Sequence, residues 1–182
     1  MRSIFYKQPL QYQIEIDGEN WTQGEKIKVK LTVRNMLSET VFVKDSQVII
    51  AYGLKKNIKA GNDLPWEVFE KQVLTKNISL HAGAEQSYEW NFQLETDCPI
   101  TDKNGGLYLL FGGEDTLSEG GRLDLPIKLH PILQNFLQTF KTQFFFLEKY
   151  QKQKSDWTEV KLIPPESKEF PNLDFVICLL RI

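Results

Sequence analysis

Apolar and polar residues alternate with a period of two along most of this chain. In segments 10–16, 27–33, 88–94 and 123–129, an apolar residue occupies every second position. This spacing predicts strands that place one face in a core and the other in water. Further strands are predicted at 41–54, 66–80, 107–111, 143–149, 158–163 and 173–180. Within these, residues 48–52 and 175–180 are apolar enough to be buried on both faces.

One segment has the period of a helix instead. Pro131 suits a first helical position, and the next apolar residues lie on one helical stripe: Ile132, Leu133, Phe136, Leu137 and Phe140. We predict a helix from about Pro131 to Lys141, with His130 as its N-terminal cap. Turn signals recur at regular spacing between the strands, which favours a two-sheet sandwich.

The predicted fold class is therefore all-β, an immunoglobulin-type β-sandwich with one short amphipathic helix. We assign residues 1–129 to the sandwich. Residues 130–182 form a helix plus a three-strand extension, which is either a truncated second lobe or part of the same sandwich.

Composition and charge limit the cellular locations and the classes of partner that we expect for this protein. The formal net charge of the 182 residues is -2 at pH 7, so no overall positive field attracts nucleic acid, and no nucleic-acid partner is expected. The first residues lack the apolar region of a signal peptide, and no apolar stretch approaches the length of a membrane span. The predicted location is the cytoplasm. Cys98 and Cys178 lie in or beside apolar runs and are expected to be reduced and buried, with Cys98 the more exposed of the two.

Patterns that carry catalysis or bind metals are absent from the sequence. There is no HExxH, no zinc spacing of Cys and His, no GxSxG and no phosphate loop. The segment Gly112–Gly121 carries three carboxylates but lacks the ligand spacing of a calcium loop, and it is predicted to be a flexible, solvated loop. We therefore expect no catalytic, cofactor-binding or metal-ligating residues, and we predict that the protein is not an enzyme.

Two features are candidates for partner binding. The first is a basic stripe on one strand, formed by Lys26, Lys28, Lys30 and Arg34. It could contact phosphates on a lipid surface, or it could be a solvated face that prevents edge-to-edge aggregation. The second is Trp66 together with the preceding polar loop, predicted at Lys55–Asp63.

The order of these features resembles a known superfamily. Residues 20–33 (NWTQGEKIKVKLTV) and 80–94 (LHAGAEQSYEWNFQL) are similar to strand patterns of arrestin-like proteins. Residues 125–137 (LPIKLHPILQNFL) lead from a strand into a short amphipathic helix, followed by Phe144-Phe145-Phe146, Pro164-Pro165 and Leu173-Asp174. Within the arrestin-like superfamily, this order is closest to the bacterial sporulation-control (Spo-zero-M) type.

The resemblance implies a binding role without catalytic residues. The main hypothesis is a cytoplasmic adaptor, scaffold or regulatory protein that binds a protein partner through sandwich loops and strand edges. The alternative is a peripheral protein that contacts membrane phospholipids through the basic stripe. A lesser alternative is a carbohydrate-binding sandwich, with a stacking platform drawn from Trp21, Trp66 and Trp157, since Trp90 is predicted to face the core. Neither the identity of the partner nor the oligomeric state follows from the sequence.

Overall fold

Strands dominate the chain, which confirms the predicted all-β class. The computed structural model describes residues 1–61, 65–154, 157–166 and 170–182. The strands are β1 (Arg2–Lys7), β2 (Leu10–Ile16), β3 (Trp21–Thr22), β4 (Lys26–Asn35), β5 (Val41–Leu54), β6 (Trp66–Leu80), β7 (Glu85–Gln93), β8 (Gly105–Gly112), β9 (Gly121–Leu125), β10 (Ile127–Lys128), β11 (Leu147–Lys154), β12 (Trp157–Ile163) and β13 (Val176–Leu180). The helices are α1 (Lys55–Lys59), α2 (Thr116–Glu119) and α3 (Pro131–Gln143).

Two four-stranded antiparallel sheets form the sandwich. The first sheet has the strand order β1-β2-β4-β7, and the second has the order β6-β5-β8-β9. Their apolar faces share one core, in which Ile14 and Leu31 of the first sheet and Leu109 and Phe111 of the second are fully buried. The alternating segments identified in the sequence thus face inward as predicted, because strand side chains alternate between the two faces.

The outer face of the second sheet is covered by two short helices where loops were predicted. Ile49 of β5 and Leu110 of β8 are buried on this face beneath Ile58 of α1 and Leu117 of α2. Helix α1 lies inside the predicted polar loop 55–63, of which Asn62 and Asp63 lie outside the described residues. Helix α2 lies inside the predicted acidic loop 112–121. Each helix has fewer than eight residues and contributes one apolar side chain to the face, which is too little to show a helical period.

The one predicted helix is present as α3. It begins at Pro131 as expected and ends at Gln143, two residues beyond the predicted end. His130 caps it as predicted, because its Nδ1 accepts a hydrogen bond from the Ile132 N–H at 3.3 Å. Helix α3 is the longest helix described, and no helix in the described ranges is both long enough and apolar enough to cross a bilayer.

β11, β12 and β13 form a third sheet in that order. A second apolar cluster joins this sheet to α3 and to the sandwich; its buried members are Ile100, Leu129, Leu137, Phe146, Val160, Leu162 and Leu180. The first of these strands begins at Leu147, four residues later than predicted, because α3 continues to Gln143. The division of the chain between residues 129 and 130 stays a prediction.

Burial of the last strand on both faces was predicted and is wrong. Within the described part of the chain, β13 pairs with β12 alone and is therefore an edge strand. Ile177 and Leu179 point outward and keep 39% and 59% of their surface exposed. The apolar run indicated burial correctly only for the face that packs on α3, where Leu180 is 9% exposed.

Candidate interaction surfaces

The basic stripe lies on the outer face of the first sheet, as the alternation predicted. All four of its side chains, Lys26, Lys28, Lys30 and Arg34, are exposed on β4, while their neighbours point into the core. β4 is an interior strand between β2 and β7. The stripe therefore does not protect a free edge. The net charge of the face around it depends on the side chains of the two flanking strands.

Acidic side chains face the stripe from both neighbouring strands. Lys30 lies opposite Glu15 of β2 and Glu89 of β7, whereas Arg34 lies opposite Glu85. Arg2 of β1 extends the row, with its Nε 3.9 Å from Glu15 Oε1. Opposite charges on paired strands attract one another, with about 0.2–1 kcal/mol per pair. The stripe is thus part of a face of mixed charge, and its attraction for an anionic surface is weakened accordingly.

Lys30→Glu should test this charge pattern. We expect it to lower the free energy of unfolding by about 1 kcal/mol, because it replaces two cross-strand attractions with two repulsions. Lys28→Glu is the matched control, since Lys28 is exposed on the same strand but lies opposite the neutral Asn91. Urea unfolding at low and high salt measures both variants. An equal effect of the two, or one that salt does not reduce, would contradict the pattern.

Trp66 is anchored on the outer face of the second sheet. Its ring makes an edge contact with Tyr108 at a centroid distance of 5.2 Å, and its Nε1–H donates to the Leu117 carbonyl at 3.1 Å. The ring also passes close over Gly53, where an added Cβ would lie 2.6 Å from Trp66 Cζ3. Trp66 is half-buried, so one part of the indole holds α2 in place while another part is accessible.

A groove with both apolar and polar lining residues opens beside this indole. Its lining includes Ile4 of β1, Ile58, Trp66, Leu110 and Leu117, and we call it the Trp66 groove. Leu110 forms the buried floor, while Ile4 at the wall is 41% exposed. Trp66 and the basic stripe lie on the outer faces of different sheets, although Ile4 at the groove wall belongs to the first sheet, two residues from Arg2. The structure therefore does not bring the two predicted binding features together.

Sequence reasoning identified Trp66 but missed the rest of this groove. Ile58 and Leu117 are isolated apolar residues in polar segments, and Ile4 belongs to a strand that the alternation did not mark. The one sequence signal for these groove residues was an apolar side chain isolated within a polar segment.

The carboxylates of segment 112–121 are paired with lysines from distant strands. Lys7 Nζ lies 3.2 Å from Asp115 Oδ2 and 2.7 Å from Glu119 Oε2, and Lys44 Nζ lies 3.0 Å from Glu114 Oε1. Hydrogen bonds to these carboxylates raise the pKa of both lysines. The acidic segment is thus fixed to the sandwich. In the described ranges, no three His, Cys, Asp or Glu side chains form a group that could hold a metal ion.

The two thiols differ from the prediction in their exposure. Both are free, but Cys98 is the more buried, with 3% of its surface exposed, and Cys178 is half-buried. Burial, followed by the nearby Asp97 and Glu95, raises the pKa of Cys98 to about 12. The Cys98 thiol is therefore neutral at physiological pH and poorly suited to act as a nucleophile.

The four tryptophans do not form a shared platform. Trp21 is 3% exposed in the core, although the sequence left it as a candidate for stacking. Trp90 is half-buried and packs against the core beside Phe92, as its predicted face requires. Trp66 lies on the second sheet, and Trp157, 41% exposed, lies on the third. The rings are thus distributed over different surfaces, without the shared face that sugar stacking needs.

Comparison with known proteins gives matches among solved structures. No family model and no curated protein matches the sequence. The sporulation control protein Spo0M from Bacillus subtilis matches with a TM-score of 0.70 at 12% identity, over 95% of this chain and 74% of that chain. The DNA glycosylase AlkC from Pseudomonas fluorescens matches with a TM-score of 0.41 at 16% identity, over 66% of this chain and 30% of that chain. The similarity to Spo0M confirms the predicted arrestin-like fold of the sporulation-control type.

Proposed function

We propose that this chain is a non-catalytic, cytoplasmic regulatory protein that binds a protein partner in the Trp66 groove. The observation that carries this proposal is an open groove in which aliphatic side chains and an anchored indole lie beside polar groups. A binding site of this kind gains affinity from buried aromatic and aliphatic contacts, and Trp is among the residues most often dominant at protein interfaces.

The polar groups around the groove suit a protein ligand. Arg122 and Ser118 lie at the rim, where they can bond to the main chain or to an acidic side chain of a bound segment. The nearest carboxylates, Asp115 and Glu119, are already paired with Lys7. An apolar segment could therefore enter the groove while these carboxylates stay paired, and Arg122, which is exposed, can keep its contact with water.

The fold supports a regulatory role by analogy. Spo0M is described as a sporulation control protein, and it shares this fold over nearly the whole chain. Fold alone does not determine function, so this similarity adds to the argument from the groove and does not replace it.

Comparative affinity purification from native lysate tests the proposal. We expect at least one protein to be recovered with the wild-type chain and to be reduced at least about tenfold by Ile4→Glu or Ile58→Glu, since a charge in an apolar pocket costs more than 1.4 kcal/mol. Phe42→Glu is the matched control, because Phe42 is 61% exposed on β5 of the same sheet and is not part of the groove. Melting temperatures of all variants verify folding.

The assay also separates the competing hypotheses. A set of recovered proteins that is identical for the wild type and for both groove variants would contradict the proposal. Sedimentation with anionic vesicles that is lost in Lys26→Ala and Lys28→Ala, but kept in Ile4→Glu, would favour membrane contact through the basic stripe instead.

A further inference from the structure

The third sheet has an edge strand without charges. β13 has the sequence VICLL, and none of its five side chains is charged at neutral pH, because burial raises the pKa of Cys178, its one titratable residue. Among the described strands, it is hydrogen-bonded to β12 alone. Its other side therefore carries unpaired main-chain N–H and C=O groups, which are a template for another strand.

The other edge strands are protected against such pairing. β6 is interrupted by two bulges, where the register passes over Phe69 and Leu74. Charged residues occur along the other edges of the three- and four-stranded sheets: Arg2 and Lys7 on β1, Glu70 and Lys71 on β6, Glu85 and Glu89 on β7, Arg122 and Asp124 on β9, and Lys152 and Lys154 on β11. Charges and bulges are the usual means by which edges avoid association. β13 lacks both, so among the described edges of the three- and four-stranded sheets its free edge is the exception.

We propose that two copies of this chain associate through β13, paired antiparallel about a twofold axis at Cys178. In this register, Ile177 of one copy lies opposite Leu179 of the other on the outer face. Val176 likewise lies opposite Leu180 on the inner face, and Cys178 faces its own counterpart. The strand is thus complementary to itself, as the interface of a twofold dimer requires.

The residues that flank the strand select this register. Phe175 falls opposite Arg181 of the second copy, whose guanidinium already lies 3.6 Å from Asp97 Oδ2 in its own chain, so the selection rests on what the shifted registers would bring together. Lys161 Nζ already lies 3.7 Å from the centroid of Phe175, so this ring accepts cations in the monomer. A shift of two residues in either direction would instead place Asp174 or Arg181 opposite an aliphatic residue of the strand, which a charge disfavours.

The small size of the contact between the two β13 strands limits the affinity of the dimer. Five paired residues span about 17 Å, and the pairing buries less than the roughly 800 Å² per partner of a standard stable interface. The association should therefore be reversible and depend on concentration. The exposed Ile177 and Leu179 gain apolar neighbours across the axis, which supplies the driving force in addition to the main-chain hydrogen bonds.

Oxidative trapping of Cys178 tests the geometry. Opposed residues in antiparallel strands have Cα atoms about 4.5–5.5 Å apart, which is within the range of a disulfide. We expect mild oxidation of the full chain carrying Cys98→Ala to give a covalent dimer, in which the two thiols pass two electrons to two copper(II) phenanthroline ions, which become copper(I), and release two protons to the buffer. Sedimentation of the wild type over a concentration series should show a mass that rises from one chain towards two.

Charge-swapped variants test the register itself. Ile177→Glu combined with Leu179→Glu places carboxylates directly opposite one another across the axis, and the double change to Lys does the same with ammonium groups. We expect each double variant to remain monomeric alone, whereas an equimolar mixture should form the dimer, because opposite charges then face each other. Leu147→Glu is the control, since Leu147 is 70% exposed on β11 at the opposite edge of the sheet.

Three outcomes would overturn the proposal. These are a wild type that stays monomeric at every concentration, a Glu double variant that is trapped through Cys178 as fast as the wild type, and a Leu147→Glu variant that loses the dimer equally. Melting temperatures and circular dichroism verify that each variant is folded.

Discussion

Asn35→Asp is expected to lower the free energy of unfolding by about 4 kcal/mol at neutral pH, although it changes a single atom of the side chain. Asn35 is fully buried at the end of β4. Its Nδ2 donates to the carbonyl oxygens of Glu39, Leu80 and His81 at 2.7, 3.0 and 3.0 Å, and its Oδ1 accepts from the Leu37 N–H at 2.9 Å. A carboxylate would direct a charged acceptor at three carbonyl oxygens and remove the donor that Asn35 supplies to them, although the His81 carbonyl keeps its bond from the Ala84 N–H at 3.0 Å.

The effect of this substitution should depend on pH in a definite direction. Burial and the surrounding carbonyl oxygens would raise the pKa of the new carboxyl in the folded state above its value of about 3.9 in the unfolded chain. The folded state then binds more protons than the unfolded state, so stability relative to wild type is highest below about pH 4. The stability of the variant relative to wild type then decreases as the pH rises, and it becomes constant above the folded-state pKa of the new carboxyl.

Urea unfolding of the wild type and the variant between acidic and neutral pH measures this difference. Asn91→Asp is the matched control, because Asn91 is exposed on β7 opposite Lys28, where a carboxylate is solvated and gains a basic neighbour. We expect that control to stay within about 0.5 kcal/mol of wild type. A loss of stability in Asn35→Asp that is the same at every pH would show that the carbonyl cluster is not the cause.

The strands of the sandwich could be predicted because their pattern is local. A shift of one residue would move every apolar side chain of β2 or β4 into water, so the alternation determines both the element and its buried face. The charges add information about pairing, since Glu15 of β2 and Lys30 of β4 do lie opposite one another. Such arguments need two neighbouring strands and nothing else.

The buried polar contacts could not be predicted, because their partners are distant in the sequence. Asparagine is a residue type that is common in turns. The structural role of Asn35 depends instead on the carbonyl of Leu80, 45 residues away. The Trp66 groove is likewise assembled from segments that carry no periodic signal, such as the five-residue helix that contains Ile58. No local pattern indicates which of these residues meet.

The apolar run of β13 shows a different limit. Its composition indicated burial, and the structure shows one covered face and one exposed face. A run that is apolar on both faces is typical of an interior strand, yet β13 lies at an edge. Within the described residues, Ile177 and Leu179 of this exposed face have no cover, and the twofold pairing inferred above would shield them in part through lateral contacts with the second copy.

Gln23→Leu is expected to lower the free energy of unfolding by about 3 kcal/mol, because it breaks a buried connection between the sandwich and α3. Gln23 is 5% exposed, its Nε2 donates to the Cys98 carbonyl at 2.5 Å, and its Oε1 accepts from the His130 N–H at 2.9 Å. Leucine fills a similar volume and can make neither bond. Two buried main-chain groups would then lack partners, at roughly 1–3 kcal/mol each.

The same variant tests whether residues 130–182 unfold with the sandwich. Ile100 N–H donates to Gln153 Oε1 at 3.0 Å, and Gln153 N–H donates to Asp102 Oδ2 at 3.2 Å, so β11 is also bonded to the segment that precedes β8. We therefore expect tryptophan fluorescence and far-ultraviolet circular dichroism to report one coincident transition, shifted equally by Gln23→Leu. Gln93→Leu is the control, because Gln93 bonds the Gly24 carbonyl at an exposed site, where water replaces the lost donor. Two separate transitions in the wild type would show instead that the chain divides near residue 130 into units that fold independently.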